Sequence, residues 1–285
     1  MNKLLFFFFF LSACATISQQ PQKILIDESG IKHPWNHLSF NNNPDNFQFA
    51  VIADRTGGNR PNIYEDAVVK INLLQPEFVM SIGDNINGYT TDEAILDKQW
   101  KEFRQIITVF QMPFFYLAGN HDYINEVQAA QWEENFGRSY YHFIYKDVLF
   151  LCMNTEEAML GPGKGGIEKP QFEYFRDVLR KNEKVKWTMI YMHQPLWEND
   201  STRYWTDIEK ILATRKHTVF AGHKHTFSRT QRNNGEYYVL ATTGGGSQLR
   251  GPEKGEFDHI LWITMTKDGP VIANILLNGI ITAKP

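Results

Sequence analysis

The chain has 285 residues, of which 42% are hydrophobic and 21% are charged, and its formal net charge is -3. This length accommodates one large domain or two small ones and allows a substantial core, and the composition excludes extensive disorder as the main state. The small negative charge argues against duplex nucleic acid as a partner, because duplex binding calls for a clustered basic face.

The N-terminus has the features of a targeting segment. Lys3 precedes the apolar run 4–11, which is too short to span a membrane. The next residues, Leu11-Ser12-Ala13-Cys14, resemble the lipobox of bacterial lipoproteins. The resemblance implies a signal peptide over residues 1–13, cleavage before Cys14 and acylation of its sulfur. An ordinary signal peptide, with Cys14 incidental, is the alternative.

A lipidated Cys14 implies an extracytoplasmic protein that is anchored to a membrane, in the periplasm or on the cell surface of a bacterium. Residues 14–45 then serve as a tether and lead-in, and residues 46–285 form the domain. Cys152 remains as the second cysteine, inside the apolar run VLFLCM. We expect it to be a buried, unpaired core thiol.

The first half of the domain alternates strands and helices. Three apolar runs predict buried strands, and two capping-box patterns, Asn62-x-x-Glu65 and Thr90-x-x-Glu93, predict the starts of the helices between them. Pro76 is expected to end the first helix. This β-α-β-α-β order implies parallel strands with right-handed crossovers. The three predicted strands are FQFAVIA (47–53), FVMSI (78–82) and FFYLA (114–118).

The second half is richer in strands. A helix over 127–136 should end at Gly137, and two apolar runs should pair as a hairpin across Lys146-Asp147. A glycine-rich loop over 161–166 precedes a helix that Pro170 opens. Further elements are a strand at 187–192, a helix at 204–214, a strand at 218–221 and three strands in the tail. The pattern predicts one α/β domain, with two mixed β-sheets packed back to back and helices on the outside.

Metal-ligand side chains follow the ends of five apolar runs. Ligands collect outside the carboxyl ends of strands in open α/β sheets, so these side chains are expected to meet. Carboxylate, amide and imidazole groups suit zinc, iron or manganese, and Asp84 could bridge two ions with its two oxygens. Two close cations are suited to cleaving phosphoesters. The candidate ligands are Asp54, Asp84, Asn120, His193, His223 and His225.

Two of these segments, Gly119-Asn120-His121-Asp122 and Gly222-His223-x-His225, resemble motifs of the calcineurin-like metallophosphoesterase family. Gly83-Asp84 and His193 before Gln194-Pro195 fit the same order, and the resemblance covers roughly residues 47–245. It implies a four-layer α/β/β/α sandwich with two divalent or transition-metal ions, which could be Mn, Zn or Fe.

The resemblance also implies a role for each residue. Asp54, Asp84 and His225 would hold one ion, and Asp84, Asn120, His193 and His223 would hold the other. His121 would face the substrate phosphate and protonate the leaving oxygen, and Asp122 would orient it from behind. The implied function is hydrolysis of a phosphomonoester or phosphodiester by a metal-activated hydroxide, on a phosphorylated substrate whose class the sequence leaves open.

The first motif departs from the family pattern, because Asp54-Arg55-Thr56 stands where the family has Asp-x-His. A hydroxyl is a poorer metal ligand than an imidazole. Three hypotheses follow: water fills the position, Asn59 substitutes, or the protein is mononuclear or a non-catalytic, metal-bearing binding module for phosphorylated ligands. Arg55 is a candidate for gripping phosphate oxygens bidentately, and a solvated loop arginine is its alternative.

Several further features have two interpretations or none. The glycines 244–246 could form a loop at the floor of the site or simply be flexible, and Trp197 could line the substrate pocket or pack in the core. The oligomeric state cannot be derived from the sequence. No role is assigned to five other histidines, His33, His37, His142, His217 and His259.

Overall fold

The computed structural model describes residues 43–159, 164–198 and 203–279. Its strands are β1 (Phe47–Ile52), β2 (Val79–Ser81), β3 (Phe114–Phe115), β4 (Tyr141–Tyr145), β5 (Val148–Cys152), β6 (Trp187–Tyr191), β7 (His217–Ala221), β8 (Ser228–Arg232), β9 (Gly235–Val239), β10 (His259–Thr266) and β11 (Gly269–Leu276). Its α-helices are α1 (Ile63–Leu74), α2 (Glu93–Ile107), α3 (Glu126–Phe136), α4 (Lys169–Lys181) and α5 (Arg203–Leu212).

The strands form two mixed sheets. The first has the order β11-β10-β1-β2-β3 and the second the order β4-β5-β6-β7-β9-β8. In the first, β1 pairs in parallel with β2 and antiparallel with β10. In the second, β5, β6, β7 and β9 are parallel neighbours, and β4 and β8 pair antiparallel at the two edges.

Three hydrophobic layers hold the sheets and helices together. The inner faces of the sheets meet through aromatic side chains such as Phe49 and Phe150, whose ring centroids lie 5.5 Å apart. Helices α1, α2 and α3 cover the outer face of the first sheet with residues such as Trp100. Helices α4 and α5 cover the second sheet with residues such as Phe175 and Trp205. The predicted α/β/β/α fold class is therefore confirmed.

The helix starts were placed well, but the predicted capping boxes were wrong. Helix α1 begins at Ile63, yet among the described residues the Asn62 side chain makes no capping hydrogen bond, because its backbone is left-handed with φ 67°. Asp92, rather than Thr90, caps α2 by accepting from the backbone N–H groups of Ala94 and Ile95. An Asp next to a helix start outcompetes a Thr two residues earlier, since the cap must reach the first turn.

The predicted hairpin is present, and its turn residues Lys146 and Asp147 have positive φ values of 43° and 63°. Both values fit a type I′ turn, which matches the twist of the flanking strands even without glycine. Strand β3 has only two of the five residues that the run 114–118 predicted. Strand β8 was missed because all five of its residues are exposed and carry no apolar alternation.

Cys152 is free and buried, as predicted, and burial raises the pKa of its thiol to about 12. Within the three described ranges, no helix combines the length and apolar character that a membrane crossing requires. The predicted signal peptide, Cys14, the predicted tether up to residue 42, and residues 161–163 of the glycine-rich loop lie outside the described residues. The proposed domain boundaries therefore stay predictions.

Candidate metal centre

Strand ends bring the candidate ligands to one edge of the sandwich. Asp54 and Asp84 follow β1 and β2 of the first sheet, whereas His193 and His223 follow β6 and β7 of the second. The imidazole Nε2 of His193 lies 3.2 Å from Asp84 Oδ1, so the carboxyl ends of the two sheets meet there. Asp54 and His193 are fully buried, which places the cluster beneath the surface.

The first group of ligand atoms comes from Asp54, Asp84 and His225, and these atoms all lie within 4.8 Å of one another. His225 Nδ1 lies 2.7 Å from the carbonyl oxygen of Gly246, to which it donates. The lone pair of Nε2 is then directed at Asp54 Oδ1, 3.5 Å away. Oδ2 of Asp54 is buried and has no hydrogen-bond partner among the described residues.

The second group comes from Asp84, Asn120, His193 and His223. Asn120 Oδ1 lies 2.9 Å from His193 Nε2 and 2.7 Å from His223 Nδ1. The side-chain amide of Asn120 donates to the Tyr89 hydroxyl at 2.7 Å, which turns Oδ1 inward. The structure thus brings together all six side chains that the sequence singled out.

Divalent cations fit this arrangement. His193 Nδ1 donates to the carbonyl oxygen of Ile82 at 2.9 Å, so Nε2 presents a lone pair to the oxygens of Asp84 and Asn120. A lone pair facing oxygen acceptors is repulsive unless a proton or a metal ion lies between them. A backbone partner on the far ring nitrogen is the arrangement that metal-ligating histidines use.

Burial and neighbouring charges shift the pKa values of three residues in the cluster. Burial disfavours the imidazolium form of His193, but the charge and hydrogen bond of Asp84 outweigh it and raise the pKa of that ring. Burial likewise opposes ionisation of Asp84, yet His193 lowers the pKa of the carboxyl. Burial, with His193 adding to it, lowers the pKa of His223 to about 4, so this ring is neutral and free to donate a lone pair.

Three of the candidate ligands have left-handed backbones: Asp84, His223 and His225 have φ values of 58°, 71° and 53°. His223 and His225 therefore do not lie on an extended segment. Each such conformation costs about 1–3 kcal/mol outside glycine and persists only where the surroundings enforce it. Here the N–H of His223 donates to Asp54 Oδ1 at 2.8 Å.

Comparison with known proteins agrees with this geometry. The model of the calcineurin-like phosphoesterase family matches residues 33–227. The chain belongs to this family. Tartrate-resistant acid phosphatase type 5 of Mus musculus is 26% identical over 208 residues, and the match covers 61% of this chain and 62% of that protein. The chain thus spans less than two thirds of this curated relative.

Two further matches bear on fold and reaction. A probable glycerophosphodiester phosphodiesterase GpdQ of Arcobacter nitrofigilis is 23% identical over 137 residues, which cover 46% of each chain. A dimetal phosphatase from Danio rerio shares the fold with a TM-score of 0.60 and 14% identity, over 81% of this chain and 96% of that one. The family match thus places the chain among the calcineurin-like phosphoesterases, and the solved structure shows the shared fold.

His121, within the Gly-Asn-His-Asp motif of this family, lies against the cluster. Its backbone N–H donates to Asp84 Oδ1 at 3.0 Å, and its ring Nδ1 lies 2.7 Å from the carbonyl oxygen of Asn87. A Cβ on Gly57 would stand 3.5 Å from His121 Nε2 and 3.2 Å from His225 Nε2. The free nitrogen of His121 therefore borders the same space as the first ligand group.

Asp122 does not orient the His121 ring, contrary to the sequence prediction. Its buried carboxylate accepts from the backbone N–H groups of Gly119, Asn85 and Ile86 and from the Asn85 side chain. Burial, reinforced by the charge of Asp84, raises the pKa of Asp122 to about 7. Asp122 thus connects the loops that follow β2 and β3. The His121 ring is held instead by the carbonyl oxygen of Asn87, a residue that sequence reasoning missed.

The Asp-x-Thr departure has a structural explanation. Thr56 is fully buried, and its hydroxyl donates to Asn87 Oδ1 instead of joining the ligand group. Asn59 is exposed, which does not favour it as the substitute ligand. The first ligand group consequently has three protein side chains, and the second has four. Water at the open position is the hypothesis that this geometry favours.

Arg55 contacts the loop after β2 and helix α2. Its guanidinium donates to the carbonyl oxygen of Asn85 at 3.0 Å and lies 5.9 Å from the ring centroid of Phe103, on the helix-covered side of the first sheet. Gripping a phosphate would require the side chain to leave both partners. Its assignment as a catalytic residue therefore stays a prediction, beside the structural role that these two contacts describe.

Sequence reasoning also missed Glu156. This buried carboxylate accepts from the Thr155 hydroxyl at 2.8 Å and from Gln194 Nε2 at 2.6 Å. Burial raises its pKa to about 7. Glu156 thus holds the side chain of Gln194, the residue after His193. Its position was a usable signal, because it lies four residues beyond the end of β5, just as the candidate ligands lie beyond the ends of other strands.

The two open interpretations are now decided by contacts. Gly245 N–H donates to the Asp54 carbonyl at 2.9 Å and Gly246 accepts from His225, so the triple-glycine loop forms part of the site floor. Trp197 is buried against Tyr237 and packs in the core. A cavity of about 360 Å³ lies beside His223. A larger one of about 750 Å³, around Trp187 and β8, contains none of the six candidate ligands.

Proposed function

We propose that the protein is a metal-dependent phosphoesterase that hydrolyses a phosphomonoester or phosphodiester. One observation carries the proposal: Nε2 of buried His193 lies 3.2 Å from Asp84 Oδ1 and 2.9 Å from Asn120 Oδ1, so donor atoms of three residues converge on one point as the ligands of one ion do. Asp84 belongs to both ligand groups and would hold both ions. Mn, Zn and Fe ions all match the donor set of carboxylate, amide and imidazole groups.

Two such ions, when bound, supply a water of lowered pKa and positive charge for the phosphoryl oxygens. The contribution of the chain is positional and acid–base. Backbone groups contact the side chains of Asp54, Asp84, His193 and His225, and His121 presents Nε2 at the edge of the cluster. With Nδ1 anchored on the Asn87 carbonyl, a protonated His121 can deliver the proton that the leaving oxygen needs.

The test is an assay with a chromogenic phosphomonoester and a chromogenic phosphodiester in the presence of added manganese or zinc. We expect His121→Ala to lose activity by a factor of about 100 or more, as is usual for a general acid. Asp84→Asn should also lose activity, because it removes a carboxylate that would hold the ions. His142→Ala, which removes a histidine far from the ligands, is the matched control. Wild-type activity in both site variants would refute the assignment.

A metal-bearing binding module without turnover is the alternative that Thr56 suggests, and the phosphatase relatives do not favour it. Metal analysis separates the two functions. About two transition-metal ions per chain, together with phosphoester hydrolysis, support the enzyme. One ion or none, with no hydrolysis of either ester, supports the binding module.

We further propose that Cys14 carries a lipid and that the domain is displayed outside the cytoplasm of a bacterium, anchored to a membrane. The support is the sequence pattern of residues 1–14. Membrane fractionation of the full chain beside Cys14→Ser tests this. Equal membrane retention of both proteins would contradict lipidation at this residue.

A further inference from the structure

Tyr89 lies at the rim of the candidate metal centre, next to the residue proposed to protonate the leaving group. Its ring is perpendicular to that of His121, with centroids 4.5 Å apart. Its hydroxyl accepts from the Asn120 side-chain amide. Yet Tyr89 is 43% exposed, so much of its aromatic surface is open to solvent.

The backbone around Tyr89 is held in an unusual shape. Tyr89 has a φ of 52°, which is a genuine outlier for a bulky residue and is typical of functional sites. The preceding Gly88 packs so closely that a Cβ there would stand 1.6 Å from the carbonyl oxygen of His121. Gly88 N–H also donates to Gln99 Oε1 at 2.8 Å. These backbone contacts hold Tyr89 in its position against His121.

We propose that Tyr89 is a specificity-determining residue that stacks on a planar ring in the leaving group, and that the preferred substrates are phosphoesters of aryl or nucleoside alcohols. The proposal rests on the proposed phosphoesterase function. The leaving oxygen must approach His121 to receive its proton, so the group attached to that oxygen emerges beside Tyr89, whose ring centroid lies 4.5 Å from that of His121. Exposed aromatic surface in that position favours a planar, apolar group over a polyol.

The experiment compares kcat/KM for AMP and phenyl phosphate with kcat/KM for glycerol 3-phosphate, or the corresponding diesters if only diesters are hydrolysed. Tyr89→Leu removes the ring. It should lower kcat/KM for the two planar substrates about 10-fold more than for glycerol 3-phosphate, the size expected for one stacking contact. Taking ratios between variant and wild type cancels the intrinsic reactivity of each ester.

Tyr89→Phe separates the ring from the hydroxyl. It retains the stacking surface but removes the partner of the Asn120 amide, so it should lower kcat/KM for all substrates by the same factor and leave the preference intact. Tyr174→Leu is the matched control, because Tyr174 is also half-buried, and its hydroxyl and ring also contact a histidine, His142. The control should change neither rate nor preference.

The outcomes of the experiment are distinct. Equal losses for planar and non-planar substrates in Tyr89→Leu would overturn the stacking role while leaving the phosphoesterase function in place. Absence of hydrolysis of every ester by the metal-loaded wild type would overturn the proposed function and the inference with it. A selective loss for planar substrates, with the preference retained in Tyr89→Phe, is the expected result.

Discussion

Gly119→Ala should weaken metal binding, although alanine can adopt the backbone conformation of this residue. A Cβ at this position would stand 2.3 Å from Asp84 Oδ1 and 2.9 Å from His193 Nδ1. The Asp84 backbone nitrogen would be 2.4 Å away, and ordinary contact begins at 3.4 Å, so both the carboxylate and the backbone of Asp84 must move by about 1 Å. Metal–ligand distances hold within about 0.2 Å, so this shift exceeds what either ligand group tolerates.

The size of the effect follows from linkage. Disturbing the shell around a metal ligand typically lowers metal affinity about 10- to 100-fold. At a metal concentration of about 100 times the wild-type Kd, bound metal adds about 2.7 kcal/mol to the free energy of unfolding. A 100-fold weaker site would retain only about 0.4 kcal/mol of that gain. The metal-dependent rise in Tm should therefore shrink by several degrees.

The assay is thermal unfolding with and without manganese, beside calorimetric metal titration. The metal-free variant will also be less stable, because overpacking costs about 1–3 kcal/mol, so the metal-dependent increment is the quantity to compare. Gly279→Ala is the control, since its Cβ would meet no described heavy atom within 4 Å. Wild-type metal affinity in Gly119→Ala would show that Asp84 is not a ligand or that its position does not matter.

Four other outcomes are expected. Asp122→Ala should lower the free energy of unfolding by about 3–5 kcal/mol, measured in urea, because several buried donors lose their acceptor, whereas His121→Ala should leave that free energy nearly unchanged. Burial lowers the pKa of His259 to about 4, below its unfolded value. Its contribution to stability is thus full above pH 6.5 and is lost as the pH falls towards 4. Urea unfolding across this window should show the wild type losing up to about 3 kcal/mol more than His259→Leu, and parallel pH profiles would contradict the shift. Cys152 should resist iodoacetamide in the native protein and react only after unfolding, as mass spectrometry would show. Calorimetric titration of Thr56→His should show tighter binding of the more weakly held ion, and an unchanged isotherm would mean that position 56 does not face it.

Much of the fold and the membership of the ligand cluster could be predicted from the sequence. Apolar runs such as 47–53 indicate strands that are buried on both faces. The helical spacing of apolar residues in α2 indicates which side of this helix is buried, including Trp100 and Phe103. Both signals are local. The ligands could be grouped because parallel strands end at one edge, so order along the chain implies proximity in space. Strand β8 escaped because an exposed edge strand has no hydrophobic pattern to detect.

The roles of individual side chains depended on partners that are distant in the chain. Three hydrogen bonds decide these roles, and each joins residues 31 to 37 positions apart. They link Asp122 to a loop N–H group, Asn87 to the ring of His121, and Thr56 to the side chain of Asn87. No periodicity encodes such pairs, since a buried polar group takes whichever partner the packed loops place within reach. The sequence by itself thus determined the layers and the chemistry of the cluster. Only the tertiary structure decided which atoms of these side chains point into the cluster. The orientation of a side chain in a loop depends on contacts with residues of both sheets.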